Sequence, residues 1–152
     1  MNTVEERLKV LGLTVPQAAA PVANYVPFVI QDKTIYISGQ VSNDANGGIK
    51  GKLGVGLSLD EGQAAARLCG LSLLGQLKAA LGDLSRVKRV IKLNGFVNVA
   101  PDFDAIPAVM NGCSDLMVAA FEDAGRHARS AVGVANLPLG FAVEVDGVFE
   151  IE

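Results

Sequence analysis

The sequence predicts one α+β domain over residues 1–152: a mixed sheet, two main helices packed on one of its faces, and a short extra helix at the N-terminus. Three observations lead there. Two long stretches carry apolar residues at helical spacing, while the shorter runs between and after them are β-branched or alternate with a period of two. The segments follow one another as helix, two strands, helix, strand, helix, two strands, an order that gathers helices on one side of a sheet. The chain has 152 residues, half of them apolar, which is enough for one core.

Each element has a local reason. Residues 1–20 read as a helix and connector extension. Thr3-Val-Glu-Glu6 fits a capping box, Val4, Leu8 and Leu11 fall on one helical face, and Gly12 can end the helix. Val15–Val22 is rich in Ala and Pro and reads as an extended connector. Tyr25–Ile30 and Thr34–Ser38, separated by Gln31-Asp32-Lys33, predict a hairpin whose Pro27 places the first strand at an edge or bulge. Ser42–Gly48 is a polar loop.

Ser58-Leu-Asp-Glu61 is a second capping box, opening a helix that should run to Leu81 and stop at Gly82. Ala65, Leu68, Cys69, Leu73, Leu77 and Ala80 form its apolar stripe. Gly62, Gly70 and Gly75 each cost a helix ~1 kcal/mol relative to Ala, and close packing against the sheet would offset that. Val87–Val99 alternates as a long strand, with Ile91, Leu93, Val97 and Val99 on one face and Lys92, Asn94 and Asn98 on the other. Pro107 suits the first turn of the next helix. Val109, Met110, Cys113, Leu116, Met117, Ala120 and Phe121 give that helix its apolar face, and Gly125 stops it. Strands over Ala128–Val134 and Ala142–Glu150 complete the chain. The apolar strand residues Ile35, Ile37, Val132, Val134, Val143 and Val145 suggest that the second sheet face is buried against another copy.

Composition narrows the chemistry. One histidine, His127, and two cysteines, Cys69 and Cys113, without a CxxC spacing leave no zinc site, and no calcium loop is present. No metal or organic cofactor is expected. Gly51-Lys52 is followed by Leu53 where a P-loop needs Ser or Thr. Gly70-Leu-Ser72-Leu-Leu-Gly75 misses the spacing of a nucleophile elbow. A net charge of −3 and few aromatics disfavour nucleic acid. The basic group Arg86, Lys88, Arg89 and Lys92 reads as a solvated strand edge. The polar start Met1–Leu11 lacks the apolar core of a signal peptide, no run is long enough to span a membrane, and a cytoplasmic protein with reduced thiols is expected.

Three motifs carry a resemblance. Tyr36-Ile-Ser-Gly-Gln40, Gly125-Arg-His-Ala-Arg-Ser-Ala-Val132, and Leu137-Pro138 followed by Glu144 resemble the RidA/YjgF family of enamine/imine deaminases, also labelled endoribonuclease L-PSP. The likeness spans roughly 22–148 and is closest to a longer branch of the family. It implies a chorismate-mutase-like fold and a homotrimer with three ligand clefts between subunits. It also implies cofactor-free hydrolysis of 2-aminoacrylate-type enamines and imines to 2-keto acids and ammonia. By the same resemblance Arg129 holds the substrate carboxylate and Glu144 positions the attacking water, while Ser38, Tyr25 and Asn111 line the cleft. Ala131 stands where many members have cysteine. The chemistry is coherent, because a guanidinium grips a carboxylate through two parallel hydrogen bonds and an imine carbon is already electrophilic.

Other readings stand beside these. Arg129 could pair structurally with Glu144 or Asp146 on an adjacent strand. His127 reads as a surface or interface residue rather than a general base. The protein could hold a small carboxylate without turning it over, and a ribonuclease ranks last.

Overall fold

The computed structural model describes residues 2–20 and 23–152. The chain runs α1 (Val4–Lys9), β1 (Phe28–Gln31), β2 (Thr34–Val41), two short strands β3 (Lys52–Leu53) and β4 (Gly56–Leu57), α2 (Leu59–Leu81), β5 (Val87–Asn98), α3 (Ile106–Phe121), β6 (Ala128–Val134) and β7 (Val143–Ile151). Five strands form one mixed sheet in the order β1-β2-β7-β5-β6, parallel only between β5 and β6. Helices α2 and α3 pack against each other and cover one face of it. This is the predicted order and layering, with β3 and β4 added from the glycine-rich loop. Pro21 and Val22, the end of the expected connector, lie outside the described residues.

Both capping boxes form. Thr3 Oγ1 accepts from Glu6 N at 3.1 Å and Ser58 Oγ from Glu61 N at 3.1 Å, each returned by the glutamate. Helix α2 ends at Gly82, where φ is +79°. The hairpin turns through Asp32-Lys33, and β1 is the edge strand that Pro27 implied.

Four expectations need correction. Leu11 is 57 % exposed while Val4 and Leu8 are buried, because α1 ends at Lys9 and the chain leaves the helical path before Leu11. Ile91 faces solvent rather than the core. Register shifts between Val87 and Arg89 and between Val90 and Lys92 break the alternation, so the buried side of β5 is Val87, Val90, Leu93 and Val97. The glycines of α2 do not approach the five-stranded sheet; a Cβ on Gly62 would lie 2.7 Å from Leu53 on the short strand β3. A Cβ on Gly70 would lie 2.7 Å from Leu116 on α3, and one on Gly75 would lie 2.7 Å from the Pro16 carbonyl of the connector. Finally, Ile35, Ile37, Val143 and Val145 are buried under the helices and say nothing of the other face. That face carries Tyr36 and Val132, both about half exposed, beside the polar side chains of β7.

The N-terminal extension is part of the helical layer. Arg7 donates from Nε and Nη2 to the Ala120 carbonyl at 2.9 and 2.7 Å, closing the end of α3. Gln76, buried on α2, donates to the Ala19 carbonyl at 2.9 Å and holds the connector in place. Cys69 and Cys113 are free and buried. Lys88, Arg89 and Lys92 of the basic group lie on β5, whose pairing with β6 starts only at Lys92, so Lys88 and Arg89 sit on an open strand edge as expected. Arg86 instead lies in the turn before β5 and donates to the Leu81 and Glu152 carbonyls.

Candidate functional site

Glu144 is held on the open face of the sheet by the alternation of β7. Val143 and Val145 point into the core, so Glu144 and Asp146 point the other way. They line a concavity of about 670 Å³ with Tyr25, Tyr36, Ser38, Gly39 and Pro138. Asp146 accepts from Asn94 Nδ2 at 2.8 Å. Burial, and then the charge of Asp146, push the Glu144 carboxyl above its ordinary pKa. Ser38 Oγ donates to the Val26 carbonyl at 2.7 Å, which spends its proton and leaves its oxygen as an acceptor. The irregular register of β2 between Ile37 and Gln40 puts Gly39 against this carboxylate. A Cβ there would lie 3.0 Å from Glu144 Cδ and closer still to Oε2, so glycine is what admits the side chain.

Arg129 belongs to a second cluster. It lies on β6, the edge strand opposite β1, and turns toward α3 on the helical side of the sheet. Its Nη1 donates to Asn111 Oδ1 at 2.9 Å and to Ser114 Oγ at 3.2 Å. Among the described residues, Nε and Nη2 have no partner. One side of the guanidinium is therefore tied down, and the edge that forms a fork with a carboxylate is open. Ser114 also meets His127 Nε2 at 2.9 Å, and His127 Nδ1 meets the Gly125 carbonyl at 2.6 Å.

The five expected site residues thus fall into two groups. Tyr25, Ser38 and Glu144 share the concavity, and Arg129 and Asn111 share the cluster at the β6 edge. The structural alternative for Arg129 fails. The neighbour of β6 is β5 rather than β7, and Glu144 and Asp146 sit on the opposite face, so no ion pair with either forms. Tyr36, Asp146, Ser114 and His127 were not expected in the site. Period-two counting from Glu144 reaches Asp146, and Ser114 lies one helical turn beyond Asn111; nothing in the sequence pairs His127 with Ser114.

The family model "YjgF/chorismate_mutase-like, putative endoribonuclease" matches residues 5–147. "Protein TCP17" of Trypanosoma cruzi is 53% identical over 150 residues, 97% of this chain and 94% of that protein. A "2-iminobutanoate/2-iminopropanoate deaminase" of Dermatophagoides farinae is 29% identical over 141 residues, 92% of this chain and 95% of that one. The crystal structure of Atu1372 from Agrobacterium tumefaciens, a protein described as of unknown function, superposes with a TM-score of 0.93. It is 46% identical and covers 98% of this chain and 92% of its own, so the likeness takes in the N-terminal extension.

Proposed function

The chain belongs to the YjgF/chorismate-mutase-like family, and from that premise we propose that it hydrolyses reactive 2-imino acids and their enamine tautomers to 2-keto acids and ammonia. One observation carries the reading. Arg129 is anchored through Nη1 by Asn111 and Ser114, and its Nε–Nη2 edge is free to receive a carboxylate. An imine made from an amino acid retains that carboxylate, so the guanidinium fixes where its C=N bond lies. The name of the Dermatophagoides farinae relative supports the substrate class.

The reaction consumes one water, both of whose protons pass to the nitrogen. Water adds to the imine carbon, giving a carbinolamine. The C–N bond then breaks with its electron pair leaving on nitrogen, which departs as ammonia, and the carbonyl forms. Glu144 takes one proton from the attacking water and gives it to the imine nitrogen as the carbinolamine forms; it then takes the proton of the carbinolamine hydroxyl and gives it to the leaving nitrogen as the carbonyl forms. A carboxyl raised by burial and by Asp146 serves both steps near neutral pH better than an ordinary one.

Arg129 and Glu144 face opposite sides of one sheet, so a complete site draws them from two copies of the chain. We take the assembly to be a homotrimer. Scattering or ultracentrifugation at micromolar concentration should give three times the chain mass, and a monomer that still releases ammonia would overturn the shared site. The activity itself is tested by ammonia release from 2-iminobutanoate generated in situ by an amino-acid oxidase. Catalysis by the wild type and its loss in a folded Arg129→Ala protein are expected. Full activity in that variant would end the reading.

A further inference from the structure

The imidazole of His127 and the hydroxyl of Ser114 stand behind Arg129 in an order that fixes the direction of every hydrogen bond. The Gly125 carbonyl can only accept, so at 2.6 Å from Nδ1 it places the ring proton on that nitrogen. Nε2 is then an acceptor, and the Ser114 hydroxyl 2.9 Å away must donate to it. With its proton spent, the Ser114 oxygen accepts from Arg129 Nη1. The second Nη1 proton goes to Asn111 Oδ1. Gly125 is buried and closes the turn after α3, so the chain of bonds starts from fixed backbone.

We propose that Ser114 and His127 are positioning residues for Arg129: the ring aims the Ser114 hydroxyl, and Ser114 together with Asn111 pins one side of the guanidinium so that its Nε–Nη2 edge meets the substrate carboxylate. The inference rests on Arg129 binding that carboxylate. A free arginine side chain sweeps many rotamers, and holding it in one beforehand removes that cost from binding. Burial first, and then the charge of Arg129, against the opposing effect of the Gly125 bond, hold His127 below its ordinary pKa, which favours the neutral ring with Nε2 an acceptor. The elements packed around the ring also carry Asp115 on α3, Asp123 and Arg126 on the turn after it, and Arg89 on β5, whose Nη2 donates to the Arg126 carbonyl at 2.9 Å. Protonation turns Nε2 into a donor. Imidazolium and guanidinium, both positive, are then set against one serine oxygen, and their repulsion loosens the pin on Nη1.

The test is calorimetric binding of 2-oxobutanoate, the keto acid that 2-iminobutanoate would yield, to the intact protein. At pH 7.5 Ser114→Ala should bind about tenfold more weakly, a loss of roughly 1.4 kcal/mol, while Ser114→Thr, which keeps the hydroxyl, should stay within about threefold of wild type. As pH falls from 7.5 through the depressed range of His127, to the lowest pH at which both proteins stay folded, wild-type affinity should fall relative to His127→Gln, which cannot titrate. Glu144 ionises alike in both proteins, so the difference between the two curves is the readout. If Arg129→Ala loses binding and Ser114→Ala does not, the positioning role is wrong and the carboxylate anchor stands. Coincident pH curves would remove His127 from it. If Arg129→Ala binds as the wild type does, the anchor itself fails and this inference with it.

Discussion

Gly39→Ala isolates the placement of one carboxylate. The added methyl would lie 3.0 Å from Glu144 Cδ and nearer still to Oε2, where ordinary contact begins near 3.4 Å. The carboxylate therefore has to withdraw by about 1 Å, and a displacement of that size at a reacting group costs on the order of 100-fold in rate. The fold should tolerate the change. The obstructing atoms are the far end of a flexible side chain, and replacing glycine by alanine within a strand gains roughly 0.5–1 kcal/mol of backbone preference. The expected result is a trimer that melts no lower than wild type, binds 2-oxobutanoate with nearly unchanged affinity, and has kcat for 2-iminobutanoate reduced about 100-fold. Steady-state ammonia release and a melting curve on the same preparation decide it. Wild-type kcat in a folded Gly39→Ala protein would show that the reaction does not depend on where the Glu144 carboxylate sits.

Other substitutions follow from the same coordinates. Because the folded state raises the Glu144 pKa, its ionised form costs stability, a cost absent below the unfolded pKa and incurred as pH rises through the folded one. Glu144→Gln should accordingly melt higher than wild type at pH 7 and no higher near pH 4, while losing activity. Asp146→Asn should move the acidic limb of kcat to lower pH, since it removes the nearby negative charge. Arg7→Ala leaves the Ala120 carbonyl at the end of α3 without its two donors and should cost roughly 1–3 kcal/mol of stability by denaturant titration. Cys113, pushed up to about 12 by burial, and Cys69, raised well above the usual thiol range, should be silent to a thiol reagent in the folded protein and count as two free thiols once it is unfolded.

The elements were legible because their signals are local. A capping box states where a helix starts within four residues, and the apolar spacing of α3 marks all seven of the residues it buries. The errors arose where a distant segment decides. Ile91 obeys the alternation of β5 in sequence, yet two register shifts against β7 turn it outward. The glycines of α2 signal close packing in the sequence, but whether a strand, α3 or the connector lies opposite is a matter of tertiary arrangement. The site shows the same division. Motif matching picks out Arg129 and Glu144 as candidates and cannot place them on opposite faces of the sheet, because that follows from the parity of two strands in one folded register. His127 and Ser114 escaped for a related reason: they sit on different elements, and only the chain reversal after α3 puts them 2.9 Å apart.

That opposition has a consequence which can be measured. No rotation of side chains brings Arg129 to Glu144 of the same chain, since β5 and the thickness of the sheet lie between them. A shared site uses two different patches, one near the β6 edge and one beside β1 and β2. Contacts between unlike patches either close into a ring or extend as a filament, and a threefold ring is the closed form proposed above. Such a site can be rebuilt from two dead proteins. Arg129→Ala and Glu144→Gln should each be inactive alone. When equal amounts are unfolded together and refolded, a site is intact wherever a copy carrying Glu144→Gln supplies its arginine to a copy carrying Arg129→Ala. Random pairing makes that about a quarter of all sites, so about a quarter of wild-type activity should return. A site built within one chain returns none, because every chain in the mixture carries one lesion. An inactive mixture whose subunits have demonstrably exchanged, as followed by mass-tagged copies, would refute the shared site whatever the oligomeric state.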